Sequence, residues 1–404
     1  MSSRRSSIQS TGGGASRKLR LDNNTMDVEE IIEVLIEAKE QPQWNVLTFD
    51  EVIFDSTMVA ATVDLLRSYG RTWERLNLEF CEGSVDVIVQ AAMVLDCVKH
   101  IFLASDDDDD AQQQLLITFS TLLRINTALT SLWLLVTLTE SATTALGQAL
   151  AINQTLQKLS LSGCNWEPMA PHALAQSGLA NNTSLRTIDW SCCFLHDDEL
   201  AILLQALVGH PTLEIIDLSR NVARSHTTHT LAHILQQDDT KLLTIDLREQ
   251  NVTPQDDQQQ QQQQQQQSSS SSNSLDISLL AQSLQNNDML QTLKLSNNAL
   301  TDQQIMELAN GLKGNSSIQH LDLQWNHITE RGLNVFTEVL PHISSLEVLL
   351  LGGNAFGLEG FNLLENLPND DESICTVKDN SLQQQQNRFR DSWGEEYFSS
   401  NLLS

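Results

Sequence analysis

Leu290–Asn298 reads LQTLKLSNN and Ile318–Asn326 reads IQHLDLQWN. In both, apolar residues hold positions one, four and six, polar residues alternate between them, and position nine is a small polar side chain. The alternation over positions four to six has the two-residue period of a short strand with one buried face. The same frame recurs as LQKLSLSGC from Leu156, LRTIDWSCC from Leu185, LEIIDLSRN from Leu213, LLTIDLREQ from Leu242 and LEVLLLGGN from Leu346. Looser copies start at Leu129, Val98 and Trp73, and the least regular starts at Trp44. Beyond each ninth position the period changes. Counting from zero at the repeat start, offsets 15, 18, 19 and 22 are Ile305, Leu308, Ala309 and Leu312 in one repeat, and Leu200, Leu203, Leu204 and Leu207 in another. At about 100° per residue these positions share one helix face. Each repeat therefore predicts a strand and then a helix, with Thr301 and Gln304 forming a capping box at one helix start. Segments such as NQTL at Asn153, NNTSL at Asn181 and NNDML at Asn286 return the chain to the next strand.

Successive starts lie 29, 25, 31, 27, 29, 28, 29, 48, 28 and 28 residues apart. The interval of 48 exceeds a normal 28 by 20, close to the length of the tract QDDQQQQQQQQQQSSSSSN at Gln255–Asn273. The frame resumes beyond the tract, which predicts an insertion inside one repeat instead of a boundary between domains. Polar, nearly uncharged sequence of this kind buries no core.

Seven good copies in phase resemble the leucine-rich repeat, in its long-repeat, ribonuclease-inhibitor-like class, over about Trp44 to Leu367. The resemblance implies an α/β fold, a right-handed horseshoe solenoid with a concave parallel β-sheet and convex α-helices. Strands stack about 4.8 Å apart whereas helices need about 10 Å, which places the sheet on the inner wall. The expected organisation is a disordered basic Ser/Gly-rich tail over 1–24, an N-terminal capping helix over 25–43, and one solenoid of about 11 repeats over 44–367. The capping helix, TMDVEEIIEVLIEAK, places Val28, Ile31, Ile32, Leu35 and Ile36 on one side. An acidic loop over 105–111 and the insertion over 254–273 interrupt the solenoid, and 368–404 is a cap remnant and mobile tail. A last, half-polar strand is expected from Ile374, and the aromatic cluster Phe389, Trp393, Tyr397 and Phe398 is a candidate for docking on the final repeat.

Charge narrows the choice of partner. Lys and Arg number 23 against 52 Asp and Glu, a net charge of -29 that repels nucleic-acid phosphate and an anionic membrane surface. A protein partner, and a basic one, is the natural complement. The longest apolar stretches, such as LWLLV at Leu132, are far short of the roughly 18 residues of a membrane span. The start MSSRRSSIQSTGGGASRKLRL is basic but lacks the apolar core of a secretory signal, which points to the cytoplasm, with the nucleus as alternative; a monomer is expected.

Chemistry-bearing residues fall into the repeat frame. Cys81, Cys164 and Cys193 occupy position nine, where Asn221, Asn298, Asn326 and Asn354 stand in other repeats, so a hydrogen-bonding structural role is expected. His226, His229 and His233 share one helix side but point away from the core face, and no metal or other cofactor is expected. Phosphate-loop, zinc-protease, nucleophile-elbow and dinucleotide motifs are missing, so no enzyme activity is predicted.

Positions three, five and seven face outward from the expected concave sheet. Position five runs Asn77, Phe102, Trp133, Ser160, Asp189, Asp217, Asp246, Lys294, Asp322 and Leu350. The acidic members, with Arg248, Lys294 and Gln324, form one expected partner-binding stretch, and Phe102, Trp133 and Leu135, beside Arg75, His100 and Glu79, form an apolar one. A plain filling of the repeat by Asp, and an N-terminal cap packed over the aromatics, stand as alternatives. The expected function is a non-enzymatic scaffold gripping a protein on its concave face, as the resemblance implies. GTPase-activating proteins of the Ran type and repeat proteins of the innate-immune-receptor kind share this architecture and are the alternative readings.

Overall fold

The computed structural model describes residues 18–40, 44–68, 73–105, 110–250, 275–356 and 360. They divide into two compact units, Met1–Asn273 and Ser274–Ser404, which are taken separately. In the first unit the described strands are β1 (Lys18–Asp22), β2 (Val46–Asp50), β3 (Trp73–Glu79), β4 (Val98–Ala104), β5 (Ser131–Leu135), β6 (Lys158–Ser160), β7 (Thr187–Asp189), β8 (Ile215–Asp217) and β9 (Thr244–Asp246). They pair in chain order, each parallel to the next. Helices alternate with them: α1 (Val28–Lys39), α2 (Ser56–Arg67), α3 (Val85–Val94), α4 (Asp110–Leu123), α5 (Glu140–Leu150), α6 (Ala170–Ser177), α7 (Asp197–Gln205) and α8 (Ser225–Leu235). The second unit holds α9 (Ser278–Leu284), β10 (Thr292–Lys294), α10 (Asp302–Leu312), β11 (His320–Asp322), α11 (Glu330–Val339) and β12 (Val348–Leu350). Its three strands are likewise parallel and in register. No described helix is long and apolar enough to cross a membrane.

The core is the one the periodicity predicts. Ile188, Trp190, Ile216, Leu218, Ile245 and Leu247, at positions four and six, are fully buried. They meet helix faces that include Leu200, Leu203, Leu204 and Leu207. In the second unit Leu293, Leu295, Leu321 and Leu323 meet Ile305, Leu308, Ala309 and Leu312. Thr301 and Gln304 close the expected capping box. Helices α9 and α10 approach so closely at Gly311 that a β-carbon there would lie 2.0 Å from the Ala281 carbonyl oxygen.

Two positions turn most of the strands into their loops. Position eight is left-handed at Glu51, Phe80, Gly163, Cys192, Arg220, Glu249, Asn297, Trp325 and Gly353. For residues with a side chain that conformation costs about 1–2 kcal/mol, which the hydrogen bonds of position nine offset. Asn221 Nδ2 donates to the Trp190 carbonyl of the preceding repeat at 2.7 Å, Asn326 to Leu295 at 3.0 Å and Asn354 to Leu323 at 2.9 Å. Cysteine fills the same place. Cys164 Sγ donates to the Leu134 carbonyl at 3.2 Å, Cys193 to Leu161 at 3.0 Å and Cys81 to Phe49 at 3.5 Å. Desolvation pushes the thiols of Cys81 and Cys164 up to about 12 and that of Cys97 up to about 11.

Three expectations need correction. Residues 18–22, assigned to the tail, form strand β1 paired with β2. The missed signal is LRLDNN at Leu19–Asn24, which carries positions four, six and nine of the frame 28 residues before Leu47–Val52. Helix α1 is therefore the helix of a strand-helix unit and not a bare cap. Its buried residues are Ile31, Leu35 and Ala38, while Val28 is 36% and Ile36 60% exposed. The acidic loop ends earlier than expected, since α4 already begins at Asp110. The basic tail before Lys18, the run Asp106–Asp109, the Gln/Ser insertion, the strand from Ile374 and the aromatic cluster lie outside the described residues.

Candidate functional site

On the sheet face turned away from the helices, position five forms one register row through the first unit: Arg20, Thr48, Asn77, Phe102, Trp133, Ser160, Asp189, Asp217 and Asp246. Neighbouring strands bring Asp189, Asp217 and Asp246 side by side, as the spacing predicts. Each carboxylate also has a local task. Asp189 Oδ1 accepts from Ser191 N at 3.0 Å and Oγ at 2.6 Å, and Asp217 Oδ1 accepts from Ser219 N at 2.9 Å and Oγ at 2.7 Å. Asp246 accepts from Arg248, whose Nη2 lies 2.6 Å away. Aspartate at position five thus ties down position seven as the strand ends, a physical reason for the recurrent L-D-L filling.

The three acids differ in what balances them. Asp246 is 2% exposed and paired with Arg248. Asp189 accepts a further hydrogen bond from Ser160 Oγ at 2.8 Å. Asp217 stands between them, half-buried, and its carboxyl is pushed up to about 7 by burial and then by the charges of Asp246 and Asp189. A cation brought to this place would relieve that repulsion.

The other end of the row is aromatic. Phe102 is only 6% exposed, wedged between Asn77 and Trp133, so it supports the surface more than it presents it. Trp133 and Leu135 are half-buried and present more of themselves. The Arg75 guanidinium lies 5.0 Å from the centre of the Trp133 ring, and the His100 ring lies 5.9 Å from it. Glu74 holds His100 Nε2 at 3.1 Å and Lys99 Nζ at 3.2 Å. Burial lowers the pKa of His100, and Arg75 and Lys158 lower it further against the pull of Glu74. Among the described residues, His100 Nδ1 and Asn77 Oδ1 are buried without hydrogen-bond partners. Beyond Asn77 the strand ends line up Asp22, Asp50 and Glu79, with Arg20 bonded to Asp50.

A basic row runs beside position five, and Lys158 joins it in addition to Arg75 and His100. Arg75, His100 and Lys158 all stand at position three, on β3, β4 and β6, and share register lines that meet at Ser131. The signal is in the sequence, at the third position of each repeat. In the second unit, Lys294 aligns with Asp322 and Asp322 with Leu350, and Asp322 Oδ1 accepts from Gln324 N at 3.0 Å. These expected residues form a row of their own there.

The three helix histidines are exposed. His226 Nδ1 sits 2.6 Å from Asp198, and Asp197 is near enough to make a three-ligand group. Asp197, however, already accepts from the backbone amides of Arg224, His226 and Thr227 at 2.6, 2.9 and 2.9 Å, which makes it the cap of α8.

A family model described as "Leucine Rich repeat" matches residues 314–335. No curated protein matches the chain in sequence. Among solved structures, a leucine-rich-repeat protein of Leptospira interrogans is 14% identical, covering 84% of this chain and 74% of its own, with a TM-score of 0.44. The yeast complex of Rad7 and Elc1 offers a chain 13% identical, covering 89% of both, with a TM-score of 0.43. The actin-binding site 2 of leiomodin-1 is 14% identical, covering 46% of this chain and 97% of its own, with a TM-score of 0.31. With a strand register, a left-handed position eight and a hydrogen-bonding position nine that recur in both units, and a repeat model matching residues 314–335 of the second, the described residues have the leucine-rich-repeat fold.

Proposed function

We propose that the chain is a non-enzymatic protein-binding scaffold, of the ribonuclease-inhibitor-like class by its 25–31-residue repeats, whose first unit takes a partner bearing basic side chains. The partner lies on the sheet face turned away from the helices. The observation that carries this reading is Asp217: a half-buried carboxylate on that face, flanked in register by Asp189 and Asp246 and pushed up to about 7. A Lys or Arg of the partner gains a hydrogen bond to a charged group and removes a like-charge cost at once.

The test is affinity capture with cross-linking, comparing the full chain with D189K/D217K/D246K after circular dichroism has shown the variant folded. Proteins retained by the wild type should be lost from the variant. An identical set on both would remove this surface from consideration.

A further inference from the structure

Arg75 lies half-buried on the same face in a chain of net charge -29, yet among the described residues no carboxylate pairs with it. Its neighbours explain how it is kept there. The Trp133 ring lies 5.0 Å from the guanidinium, and Glu74, next to Arg75 in the chain, turns instead to His100 and Lys99. A guanidinium stacked on an indole keeps its planar fork of donors oriented, which lowers the entropy lost when it grips a carboxylate with two parallel hydrogen bonds. Three strand steps separate Trp133 on β5 from Asp217 on β8. At about 4.8 Å per step that is about 14 Å, or about four residues of extended chain.

We infer that the partner segment is bipolar: an Asp or Glu side chain docks on Arg75 beside Trp133, and Lys or Arg about four residues away, in either chain direction, docks on Asp217. The inference rests on the proposed reading of this face and adds to it a second determinant of opposite sign. Charge complementarity selects the occupant. A purely basic segment would set a cation against Arg75, and a purely acidic one would meet Asp189, Asp217 and Asp246.

Peptide display tests it. A random 12-residue library is panned against the immobilised full chain, against R75E, and against D189K/D217K. Wild-type selections should be enriched in an acidic residue about four positions from a basic one. Selections on R75E should lose the acidic preference and keep the basic one, while D189K/D217K should do the reverse. In solution, a selected peptide should bind R75Q, which keeps a polar side chain but removes the guanidinium charge, about tenfold or more weakly than wild type. If R75E selects the wild-type peptides, or R75Q binds them unchanged, the Arg75 determinant is wrong while the acidic face stands. If neither charge reversal alters selection, or nothing is enriched, both readings fall.

Discussion

Replacing Asp217 with Asn should stabilise the protein, and more so as pH rises. The substituted side-chain amide would keep a carbonyl oxygen to accept from Ser219 N and Oγ, so the strand end stays tied down. What is lost is a negative charge beside Asp189 and Asp246. The folded carboxyl is raised from 3.8 to about 7, so the native state holds a proton that the unfolded chain has released. Asp217 therefore costs nothing below about pH 4, costs progressively more between there and pH 7, and exacts its full cost above. About three units at about 1.36 kcal/mol each set a ceiling of about 4 kcal/mol. Partial exposure and screening bring the expected gain at pH 8 to about 1–2 kcal/mol. Urea unfolding followed by tryptophan fluorescence at pH 5 and pH 8 measures it, and the gain at pH 5 should be less than half of that at pH 8. A variant no more stable than wild type at pH 8, or a gain independent of pH, would show that the carboxylate is not held at a cost and would remove the main support for a cation-binding face.

Two further outcomes follow from the repeat frame. Asn326→Ala should cost about 2–4 kcal/mol in the same unfolding measurement, because Asn326 Nδ2 serves three carbonyls and Oδ1 accepts from the amides of Asn298 and Leu300, all of them buried. Cys193→Ala, which removes one weak donor from the Leu161 carbonyl, should cost clearly less, and equal losses would mean that position nine is about volume and not hydrogen bonding. With Cys375 replaced by Ser, the remaining five thiols should react with Ellman's reagent at pH 8 more slowly in the folded chain than in urea, by about a hundredfold or more for Cys81, Cys97 and Cys164, which burial raises to about 11 or 12. A thiol reacting at its unfolded rate would contradict that burial.

Most of the repeat was legible because each element answers to local rules. The two-residue alternation of Leu293 and Leu295, the helical spacing of Ile305, Leu308, Ala309 and Leu312, and the single small polar residue at position nine all follow from geometry within one repeat. Strand β1 escaped because its position one is Ser16 and it sits in a Ser-rich, basic context that reads as a tail. The row of position-five residues was also legible, since the same nine-residue strand frame recurs in each repeat and puts equivalent positions into register.

What the sequence could not determine is how neighbours settle one another's charge and exposure. Asp189, Asp217 and Asp246 are three equal letters in a column, yet a serine hydroxyl from the preceding strand bonds the first and Arg248 bonds the third, which leaves the middle one to bear the repulsion. Phe102 and Trp133 look alike in the frame, but packing covers one and leaves the other to carry Arg75. Secondary structure comes from contacts a few residues apart, which a sequence displays. The chemistry of the face comes from side chains about 28 residues apart held at strand spacing, and only the folded sheet decides which of them meet.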